Sequence, residues 1–388
     1  MPGCKEDKDK KVCVHCIMDN VNEPDLQFDE KGVCNYCRSY IESAELIPKG
    51  EARDKKLHEL VNTIKARSKG KKYDAVLGVS GGVDSTYLAY LAHKLGLKLL
   101  LVHCDNGWNS ELSVKNIEGI IQYTGFDLHT IVLNWEEFKD IQLSFFKAGV
   151  VDIELPYDYA LVVSIYKVAK KHGIQSLLSG HNLVTEGTVM PKSWRHDKLD
   201  IINIKAIHKL FGKRPMKTFP HFSPWQMSYF ALTKKFENIR LLNYTEYDKK
   251  AAKELITKEM GWRDYGGKHY ESVFTRFYQG YILPEKFHID KRQFHYSILI
   301  CSGQISREEA LEEMKKPPYA SPQMLKEDME YVKKKLDFTD ESFNEYMEAP
   351  IHKHTDYPNI ENYWKKYYRV VGLLKPFKFI LRPLFELK

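Results

Sequence analysis

Residues 80–85 combine small size with side-chain oxygens in an order suited to binding phosphate. The segment consists of Ser80, Gly81, Gly82, Val83, Asp84 and Ser85. It lies between an apolar run at 75–79 and a helical pattern that begins at Thr86. Because glycines let the backbone approach a ligand and the amides of a helix start attract anions, we expect this loop to hold phosphate. The alternative is a plain Gly-Gly turn that Asp84 caps.

The side chains of this loop define its chemistry further. The hydroxyl groups of Ser80 and Ser85 can donate to phosphate oxygens, and Asp84 can orient a Mg²⁺ ion or a helix amide. The loop lacks the lysine of the Gly-x-x-x-x-Gly-Lys-Ser/Thr pattern and the Gly-x-Gly-x-x-Gly of dinucleotide folds. It therefore predicts a nucleotide site of a different type.

Polar residues also follow two further predicted strands, at 98–103 and 176–179. They are Asp105, Asn106 and Gly107 after the first, and His181, Asn182 and Glu186 after the second. Short apolar strands alternate here with helices, which is typical of an α/β protein with a parallel, doubly wound sheet. Because ligands of such sheets bind beyond the carboxyl ends of the strands, we expect the three polar segments to meet at one site.

Four of the seven cysteines form two C-x-x-C pairs. They are Cys13 and Cys16, then Cys34 and Cys37, with seventeen residues between the pairs. This is zinc-ribbon spacing, in which four thiolates complete a closed tetrahedral site, so we expect Zn²⁺ to organise this segment rather than to catalyse. Redox chemistry or an iron–sulfur cluster is the alternative. His15 is expected to face solvent, and Cys104 and Cys301, which stand alone, are predicted to be core thiols.

The composition is that of an ordinary globular enzyme, with 43% hydrophobic and 29% charged residues over 388 positions. No apolar run reaches the roughly 18 to 20 residues of a membrane span, and no apolar signal core is present, so we expect a cytoplasmic protein.

The C-terminal tail is strongly basic. Residues 365–388 carry seven lysine and arginine residues and one glutamate, so they contribute most of the net charge of +7 of the whole chain. The nearly neutral remainder argues against nucleic acid, and the basic tail is predicted to dock on a partner, to contact an anionic membrane surface, or to pack on its own domain.

The chain divides into four predicted segments. They are a zinc-ribbon segment at 1–45, a connecting helix at 46–72, an α/β nucleotide domain at 73–245, and a mainly helical domain at 246–388 that includes the tail. Helical patterns in the last segment fall at 247–259, 306–315, 321–336 and 340–347.

Several motifs together resemble one enzyme family. The S-G-G-V-D-S loop resembles the pyrophosphate loop of the ATP pyrophosphatases, which cleave ATP between its α and β phosphates to adenylylate an oxygen. The resemblance extends to the C-x-x-C pairs, D-N-G-W at 105–108, G-H-N at 180–182, K-H-Y-E at 268–271 and D-K-R at 290–292. With these motifs the chain resembles the N-acetyl sugar amidotransferases, which convert an acetamido group on a nucleotide-linked bacterial surface sugar to an acetamidino group.

The resemblance implies a reaction, cofactors and partners. With ATP and Mg²⁺ the amide oxygen would be adenylylated, and ammonia would then displace AMP, in lipopolysaccharide O-antigen or other surface-glycan biosynthesis. A glutaminase subunit resembling the histidine-pathway amidotransferase would supply the ammonia, together with a synthase-like companion. The residues agree that ammonia comes from elsewhere, because position 2 is Pro2 and neither Cys104 nor Cys301 lies in a nucleophile turn.

The predicted site residues divide between catalysis and binding. Asp84, Asp105, His181 as a general base and Glu186 as a proton acceptor from ammonia are the candidate catalytic groups. Contacts to the nucleotide or its phosphates are expected from Ser80, Gly81, Gly82, Asp84, Ser85, Asn106, Gly107, Asn182, Lys291 and Arg292. Segments 191–196 and 219–225 are expected to recognise the sugar nucleotide, unless their aromatic residues belong to the core.

Two other functions are compatible with the same loop and cysteines. A tRNA thiolase would adenylylate a base carbonyl before sulfur transfer, but such an enzyme commonly needs a reactive cysteine near the loop. The chain outside its basic tail is also nearly neutral, which disfavours binding of the negatively charged tRNA. A non-catalytic adaptor would use only the zinc ribbon and the basic tail. Dependence of ATP turnover on Ser80 and Asp84 distinguishes an enzyme from an adaptor.

Overall fold

Five parallel strands form the one sheet found in the part of the chain that the structure describes. The computed structural model describes residues 10–187, 190–233, 235–267 and 270–371. The strands are β1 Ala75–Gly78, β2 Leu99–Asp105, β3 Asp127–Val132, β4 Ser176–Leu178 and β5 Glu237–Ile239, arranged in the order β3-β2-β1-β4-β5. All neighbouring pairs are parallel. The predicted parallel, doubly wound α/β fold is therefore confirmed.

The burial of the central strands explains their apolar sequences. β1 and β2 are buried along nearly their whole length, whereas the edge strand β3 is partly exposed. A strand covered on both faces needs apolar residues at every position rather than at alternate ones. The register Gly78 to Val102 and Leu77 to Leu178 brings the carboxyl ends of β2, β1 and β4 to the same edge.

The α-helices are α1 Asn35–Glu45, α2 Gly50–Arg67, α3 Val83–Lys94, α4 Glu111–Thr124, α5 Trp135–Ala148, α6 Leu155–Lys171, α7 Leu183–Glu186, α8 Ile201–Phe211, α9 Pro224–Leu232, α10 Lys249–Met260, α11 Val273–Phe277, α12 Leu283–Phe287, α13 Lys291–Cys301, α14 Arg307–Lys315, α15 Pro322–Lys335, α16 Asp340–Glu348 and α17 Ile360–Val371. Short 3₁₀ turns occupy Lys192–Trp194, Leu241–Tyr244 and His354–Asp356. A π-helical turn at Tyr278–Ile282 joins α11 to α12.

The region beyond the sheet is helical, as predicted. The four helical patterns expected there correspond to α10, α14, α15 and α16, with their ends within two residues of the expected positions. α10 packs against α3 and α4, while α13 packs against α1, α7 and α14. The late helices therefore contact both the cysteine-rich segment and the helix that follows the phosphate loop.

Some features of the fold lie beyond what the structure tests. The boundaries of the four predicted segments stay a prediction. Most of the basic tail, residues 372–388, lies outside the described residues, as does the Lys268-His269 half of the K-H-Y-E motif. Within the described ranges, no helix combines the length and the apolar character that a membrane crossing requires.

Candidate active site and metal centre

The backbone of the phosphate loop is fixed by groups from distant parts of the chain. Gly81 has a φ of +78°, and a Cβ placed on it would lie 2.6 Å from the carbonyl oxygen of Ser113. The Gly81 carbonyl oxygen accepts hydrogen bonds from Trp262 Nε1 at 2.8 Å and from the Tyr265 hydroxyl at 2.6 Å. Because C=O and N–H point in opposite directions across a trans peptide, tying this carbonyl back turns the next amide, that of Gly82, the other way. A residue with a side chain would disturb both features.

The helix that follows the loop begins without a capping side chain. Gly82 is the N-cap of α3, and because glycine has no side chain, this position supplies no capping hydrogen bond. The first amides of a helix have no intrahelical acceptor, and together with the helix dipole they favour an anion. Ser80 Oγ lies 3.3 Å from the Gly82 amide nitrogen, and Ser85 Oγ donates to the Gly82 carbonyl oxygen at 3.2 Å. The expected role of this loop in holding an anion stays a prediction.

Asp84 is held in place by three donors. Its Oδ1 accepts from the Tyr247 hydroxyl at 2.5 Å and from Asn182 Nδ2 and Thr185 Oγ1, both at 3.3 Å. Burial, with the Asp84 charge second, raises the pKa of Tyr247 far above its ordinary value, so its hydroxyl remains a donor. Asp84 does not cap α3, and its carboxylate is instead oriented from behind by residues of the β4 end and of the segment before α10.

Asn182 belongs to the support of this site rather than to its surface. The residue is fully buried, and its side chain accepts from the Thr185 amide at 2.9 Å as the N-cap of α7. Its amide group also donates to the Gly180 carbonyl oxygen at 3.1 Å. The predicted contact of Asn182 with the nucleotide stays a prediction, and the contact present in the structure is the one with Asp84.

A cavity of about 440 Å³ lies against the loop, and we call it the loop chamber. Its lining comprises Ser80, Gly82, Val83, Asp84, Ser85, Gly180, His181, Glu186, Lys249, Lys253, Trp262, Asp264, Tyr265, Gly266, Gly267 and Glu271. The ends of β1 and β4 therefore meet here, together with a segment from 249 to 271. A Cβ placed on Gly82 would lie 3.8 Å from Glu271 Oε1, so this carboxylate lies close to the loop.

A second cavity, of about 380 Å³, adjoins the first, and we call it the junction chamber. Ser80, His181, Glu186 and Glu271 line both cavities. The remaining lining residues are Asn109, Glu154, Tyr157, Asp158, Leu161, Met190, Arg195, Lys198, Ser272, Thr275, Gln279, Lys291 and His295. Two of the predicted catalytic residues, His181 and Glu186, thus lie on the boundary between the loop chamber and the junction chamber.

Charged groups in the junction chamber are strongly affected by burial. Lys198 Nζ donates to Asp152 at 2.7 and 2.8 Å and pairs with Asp158 at 2.7 Å. Burial alone would raise the pKa of Asp152, but the charges of Lys198, His354 and Lys291, together with the hydrogen bonds from Lys198, lower that pKa to about 2. Burial raises the pKa of Glu154 and lowers the pKa of Lys291. The chamber therefore presents both acidic and basic groups to a bound molecule.

The segment after β2 is arranged as a turn and lines neither chamber with its predicted residues. Asp105 Oδ1 accepts from the Gly107 amide at 2.8 Å and from Asn109 Nδ2 at 3.0 Å, while Asn106 Oδ1 accepts from the Trp108 amide at 3.0 Å. Asn109 does line the junction chamber. None of Asp105, Asn106 and Gly107 lines either chamber. The catalytic role predicted for Asp105 and the nucleotide contacts predicted for Asn106 and Gly107 stay predictions.

Lys291 and Arg292 lie away from the loop. Both line a third cavity, described below, and Lys291 also lines the junction chamber, but neither lines the loop chamber. Arg292 is bound to the Asp290 carboxylate through Nε and Nη2, and its Nη1 donates to the Lys316 carbonyl oxygen at 2.7 Å. The expected contact of this pair with the phosphates of a nucleotide stays a prediction.

The four paired cysteines converge as zinc-ribbon spacing predicts. Cys13, Cys16, Cys34 and Cys37 are buried, and their sulfur atoms all lie within 4.8 Å of one another. Two of these separations are 3.9 Å, Cys13 to Cys37, and 3.7 Å, Cys16 to Cys34. Four convergent thiolates fit a tetrahedral Zn²⁺ ion, and a closed set of this kind is structural rather than catalytic.

Cys301 is not the isolated core thiol that the sequence indicated. Its sulfur lies 3.5 Å from Cys37 Sγ, because α13 packs against α1. His15, Cys37 and Cys301 also form a group whose ligand atoms lie within 4.8 Å, and His15 is exposed as expected. The 264 positions between Cys37 and Cys301 explain why the chain order gave no sign of this contact. Cys104, by contrast, is buried, and burial raises its pKa to about 12.

The two segments expected to recognise a sugar nucleotide divide between site and core. Arg195 lines the junction chamber. Trp194 is buried, with its Nε1 donating to the Asn22 carbonyl oxygen at 3.0 Å. Phe219 and Phe222 are buried in the core cluster as well. For these aromatic residues the structure agrees with the alternative, a role in packing.

Several residues around the loop had not been recognised in the sequence. They are Lys249, Lys253, Trp262, Tyr265 and the pair Gly266-Gly267 in the loop chamber, Glu154, Asp158 and Lys198 in the junction chamber, and Tyr247, which donates to Asp84. A second glycine pair, in Tyr265-Gly266-Gly267, was the available signal, because adjacent glycines often allow a close backbone approach. The buried carboxylates had no such signal.

Comparison with known proteins identifies the late part of the chain. Residues 271–371 match the family model described as LPS biosynthesis protein WbpG-like, C-terminal domain. The match confirms the relationship to proteins of bacterial surface-polysaccharide biosynthesis that the motifs indicated. It begins at Glu271, which lines both chambers. No curated protein matches the chain.

Solved structures give weaker likenesses. NMN synthetase from Francisella tularensis has a TM-score of 0.28 and 20% identity, over 34% of this chain and 56% of that one. NH3-dependent NAD synthetase from Campylobacter jejuni has a TM-score of 0.28 and 15% identity, over 54% and 93%. A predicted subunit of tRNA methyltransferase from Methanocaldococcus jannaschii has a TM-score of 0.26 and 16% identity, over 47% and 75%. The present chain thus spans little more than half the length of the first of these proteins.

Proposed function

We propose that this chain is an ATP-dependent amidotransferase that converts the acetamido group of a nucleotide-linked sugar to an acetamidino group. The observation that carries the proposal is the boundary between the loop chamber and the junction chamber. ATP bound by the loop and an acceptor bound in the junction chamber would meet at Ser80, His181, Glu186 and Glu271. The WbpG-like match over 271–371 supports a role in lipopolysaccharide or other surface-glycan biosynthesis.

In the first step the acceptor's amide oxygen attacks the α-phosphorus of ATP. A new O–P bond forms as the bond between the α-phosphorus and the bridging oxygen breaks, and pyrophosphate leaves. The amides at the start of α3 and the Ser80 hydroxyl would stabilise the charge on the departing group. The product is an O-adenylyl imidate, whose carbon is a better electrophile than an amide carbon and whose oxygen leaves with AMP.

Oxygen ligands for Mg²⁺ are present where this step requires them. Asp84 and Glu271 both place carboxylates in the loop chamber, and carboxylates are preferred ligands of this ion. Mg²⁺ held by these residues would neutralise charge on the phosphates. Tyr247, Asn182 and Thr185 would keep the Asp84 carboxylate in position for that task.

In the second step ammonia adds to the imidate carbon. The added nitrogen loses a proton, for which His181 and Glu186 at the chamber boundary are the candidate acceptors. The C–O bond then breaks, and AMP leaves with the former amide oxygen. The overall reaction consumes the acetamido sugar, ATP and ammonia and yields the acetamidino sugar, AMP and pyrophosphate.

The ammonia would come from a glutaminase partner, with a synthase-like companion subunit. Support comes from the cysteines, since a glutaminase nucleophile is an accessible thiolate. Cys104 is buried with a raised pKa, and Cys301 lies against the four-cysteine cluster. The same two observations disfavour a thiolase with a reactive cysteine near the loop. The cytoplasmic location expected from the sequence remains a prediction.

The reaction is tested by incubating the purified chain with ATP, ammonium and a panel of nucleotide-linked acetamido sugars. We expect one sugar to give pyrophosphate, AMP and a product in which an NH group has replaced an oxygen, as detected by mass spectrometry. Ser80→Ala should lose most of the turnover while keeping the melting temperature. Pyrophosphate release on addition of tRNA, but with no sugar of the panel, would contradict the proposal and favour the thiolase.

A further inference from the structure

A third cavity, of about 550 Å³, opens beside the other two, and we call it the C-terminal chamber. It shares Lys249, Gly266 and Gly267 with the loop chamber and Gln279, Lys291 and His295 with the junction chamber. The rest of its wall comes from residues 270–320, most of which belong to the WbpG-like segment. The three cavities thus adjoin one another, and the third is contributed chiefly by the helical region.

Lys291 is a buried cation on the boundary between the junction chamber and the C-terminal chamber. Only 8% of its surface is exposed. Its Nζ lies 5.3 Å from the centre of the Tyr278 ring and makes no hydrogen bond or ion pair with any residue that the structure describes. The carboxylates of Glu154, Asp152 and Asp158 lie near enough to favour the charged form of Lys291 but make no ion pair with it. An anionic ligand at Nζ would supply the direct partner that this cation lacks among the described residues.

The C-terminal chamber has a wall of tyrosines that is already fixed in position. Tyr270, Tyr296 and Tyr319 all line it. The Tyr319 hydroxyl donates to Asp328 at 2.9 Å, and Arg276 binds the same carboxylate through two bonds of 2.6 Å. Aromatic faces held in this way suit a planar ring such as a nucleobase.

We propose that the C-terminal chamber binds the nucleoside diphosphate part of the acceptor, with the Lys291 ammonium as a ligand of the diphosphate. The inference rests on the proposed function and deepens it by assigning an orientation to the bound acceptor. The nucleoside lies among the tyrosines, the diphosphate lies at Lys291, and the sugar extends through the junction chamber. Its acetamido group then reaches Ser80 and Glu271, where the adenylylating nucleotide is bound.

Charge and position separate this site from that of ATP. The loop chamber has a lysine of its own, Lys253, and shares Lys249 with the C-terminal chamber. Lys291 does not line the loop chamber. The junction chamber extends from Ser80 of the loop to Lys291, and its volume of about 380 Å³ is large enough for a sugar. ATP held at the loop therefore leaves Lys291 to a second phosphorylated molecule.

The test measures binding of UDP and of GDP to the full chain by calorimetry, with α,β-methylene-ATP present in excess to occupy the loop chamber. We expect at least one of the two diphosphates to bind the wild-type chain. Lys291→Met should weaken that binding by about 10- to 100-fold, as expected for a lost charge-assisted hydrogen bond. Lys315→Met is the matched control, because this lysine is exposed and lines none of the three cavities.

Folding of the variant is checked by its melting temperature, and Lys291→Gln provides a second neutral side chain if Lys291→Met does not fold. In turnover assays the KM for the nucleotide sugar should rise while the KM for ATP stays within about twofold. Failure of both diphosphates to bind the wild-type chain, an unchanged affinity in the Lys291 variants, or a rise in the KM for ATP alone would overturn the inference. Those results leave the amidotransferase proposal standing, which falls only if no acetamidino product forms.

Discussion

Gly81 shows how one backbone conformation controls the whole phosphate loop. Its positive φ has a local cause, whereas the hydrogen bonds from Trp262 and Tyr265 to its carbonyl oxygen are long-range contacts. The local cause was visible in the sequence as a Gly-Gly pair. The donors Trp262 and Tyr265 lie 181 and 184 positions further along the chain, and no local pattern could have indicated them.

We predict that Gly81→Ala removes most of the ATP-dependent pyrophosphate formation, whereas the protein stays folded and loses only part of its stability. The left-handed conformation alone should lower the free energy of unfolding by about 1 to 2 kcal/mol. The new Cβ would also lie 2.6 Å from the Ser113 carbonyl oxygen and 2.8 Å from the Tyr265 hydroxyl, so the loop must move. Pyrophosphate release and urea unfolding measure the two effects separately.

Gly125→Ala is the control for this experiment. Gly125 has a φ of +68° at the end of α4, and nothing lies within 4 Å of a Cβ placed on it. It should show a similar loss of stability with normal activity. Equal activity in the two variants would mean that the conformation of the loop does not matter for turnover.

At the scale of elements, α13 connects the four-cysteine cluster with the ligand chambers. It begins at Lys291, which lines two chambers, and ends at Cys301, whose sulfur lies 3.5 Å from that of Cys37. Ser297 Oγ accepts from the Ile17 amide at 3.4 Å and so adds a second link to the cysteine-rich segment. The metal centre should therefore support the position of Lys291 through this helix.

Replacement of Cys37 and of Cys301 should have different effects on metal content. Cys37→Ser removes one of four convergent ligands, and we expect zinc content to fall from about one per chain to near zero, with a lower melting temperature. Cys301→Ser should keep the zinc, since the other four thiolates complete the site. Elemental analysis of both variants tests this, and equal zinc loss in the two would assign Cys301 to the ligand set.

The sequence predicted the elements that short-range patterns define. The four late helices were expected within two residues of α10, α14, α15 and α16 because their apolar spacing is regular. β5, with only three residues at Glu237–Ile239, was too short to be distinguished from a loop. Tyr247, which orients Asp84 from 163 positions away, was also missed, since tertiary contacts leave no spacing pattern in the sequence.

At the scale of the whole molecule, the buried His354 in the turn His354–Asp356 connects the C-terminal part of the chain with Asn203 and Asp152. Asp152 in turn binds Lys198, which lines the junction chamber. His354 is 5% exposed. Its Nδ1 lies 2.7 Å from Asn203 Oδ1, and its Nε2 accepts from the Asp152 amide at 3.2 Å. An Nε2 atom that accepts from an amide has no room for a proton, and burial lowers the pKa of His354 to about 3.

This histidine should make the fold sensitive to acid. Between pH 6.5 and 3 the unfolded chain binds a proton that the folded chain does not, so the free energy of unfolding falls as the pH falls. The slope from this group approaches about 1.4 kcal/mol per pH unit. His354→Gln should be less stable at pH 7.5 but should lose less stability between pH 7 and 5. Identical slopes for the variant and the wild type in urea unfolding would show that the histidine is protonated in the folded state.

The transfer of the amide oxygen is the most direct test of the proposed chemistry as a whole. The measurement uses a nucleotide-linked sugar with a heavy-oxygen label in its acetamido group, together with ATP, ammonium and the purified chain, and follows the label by mass spectrometry. If the amide oxygen is adenylylated and then displaced by ammonia, the label will appear in the phosphate of AMP, one atom for each acetamidino sugar formed. Label that stays in the sugar or passes to water while AMP and pyrophosphate accumulate would contradict the account.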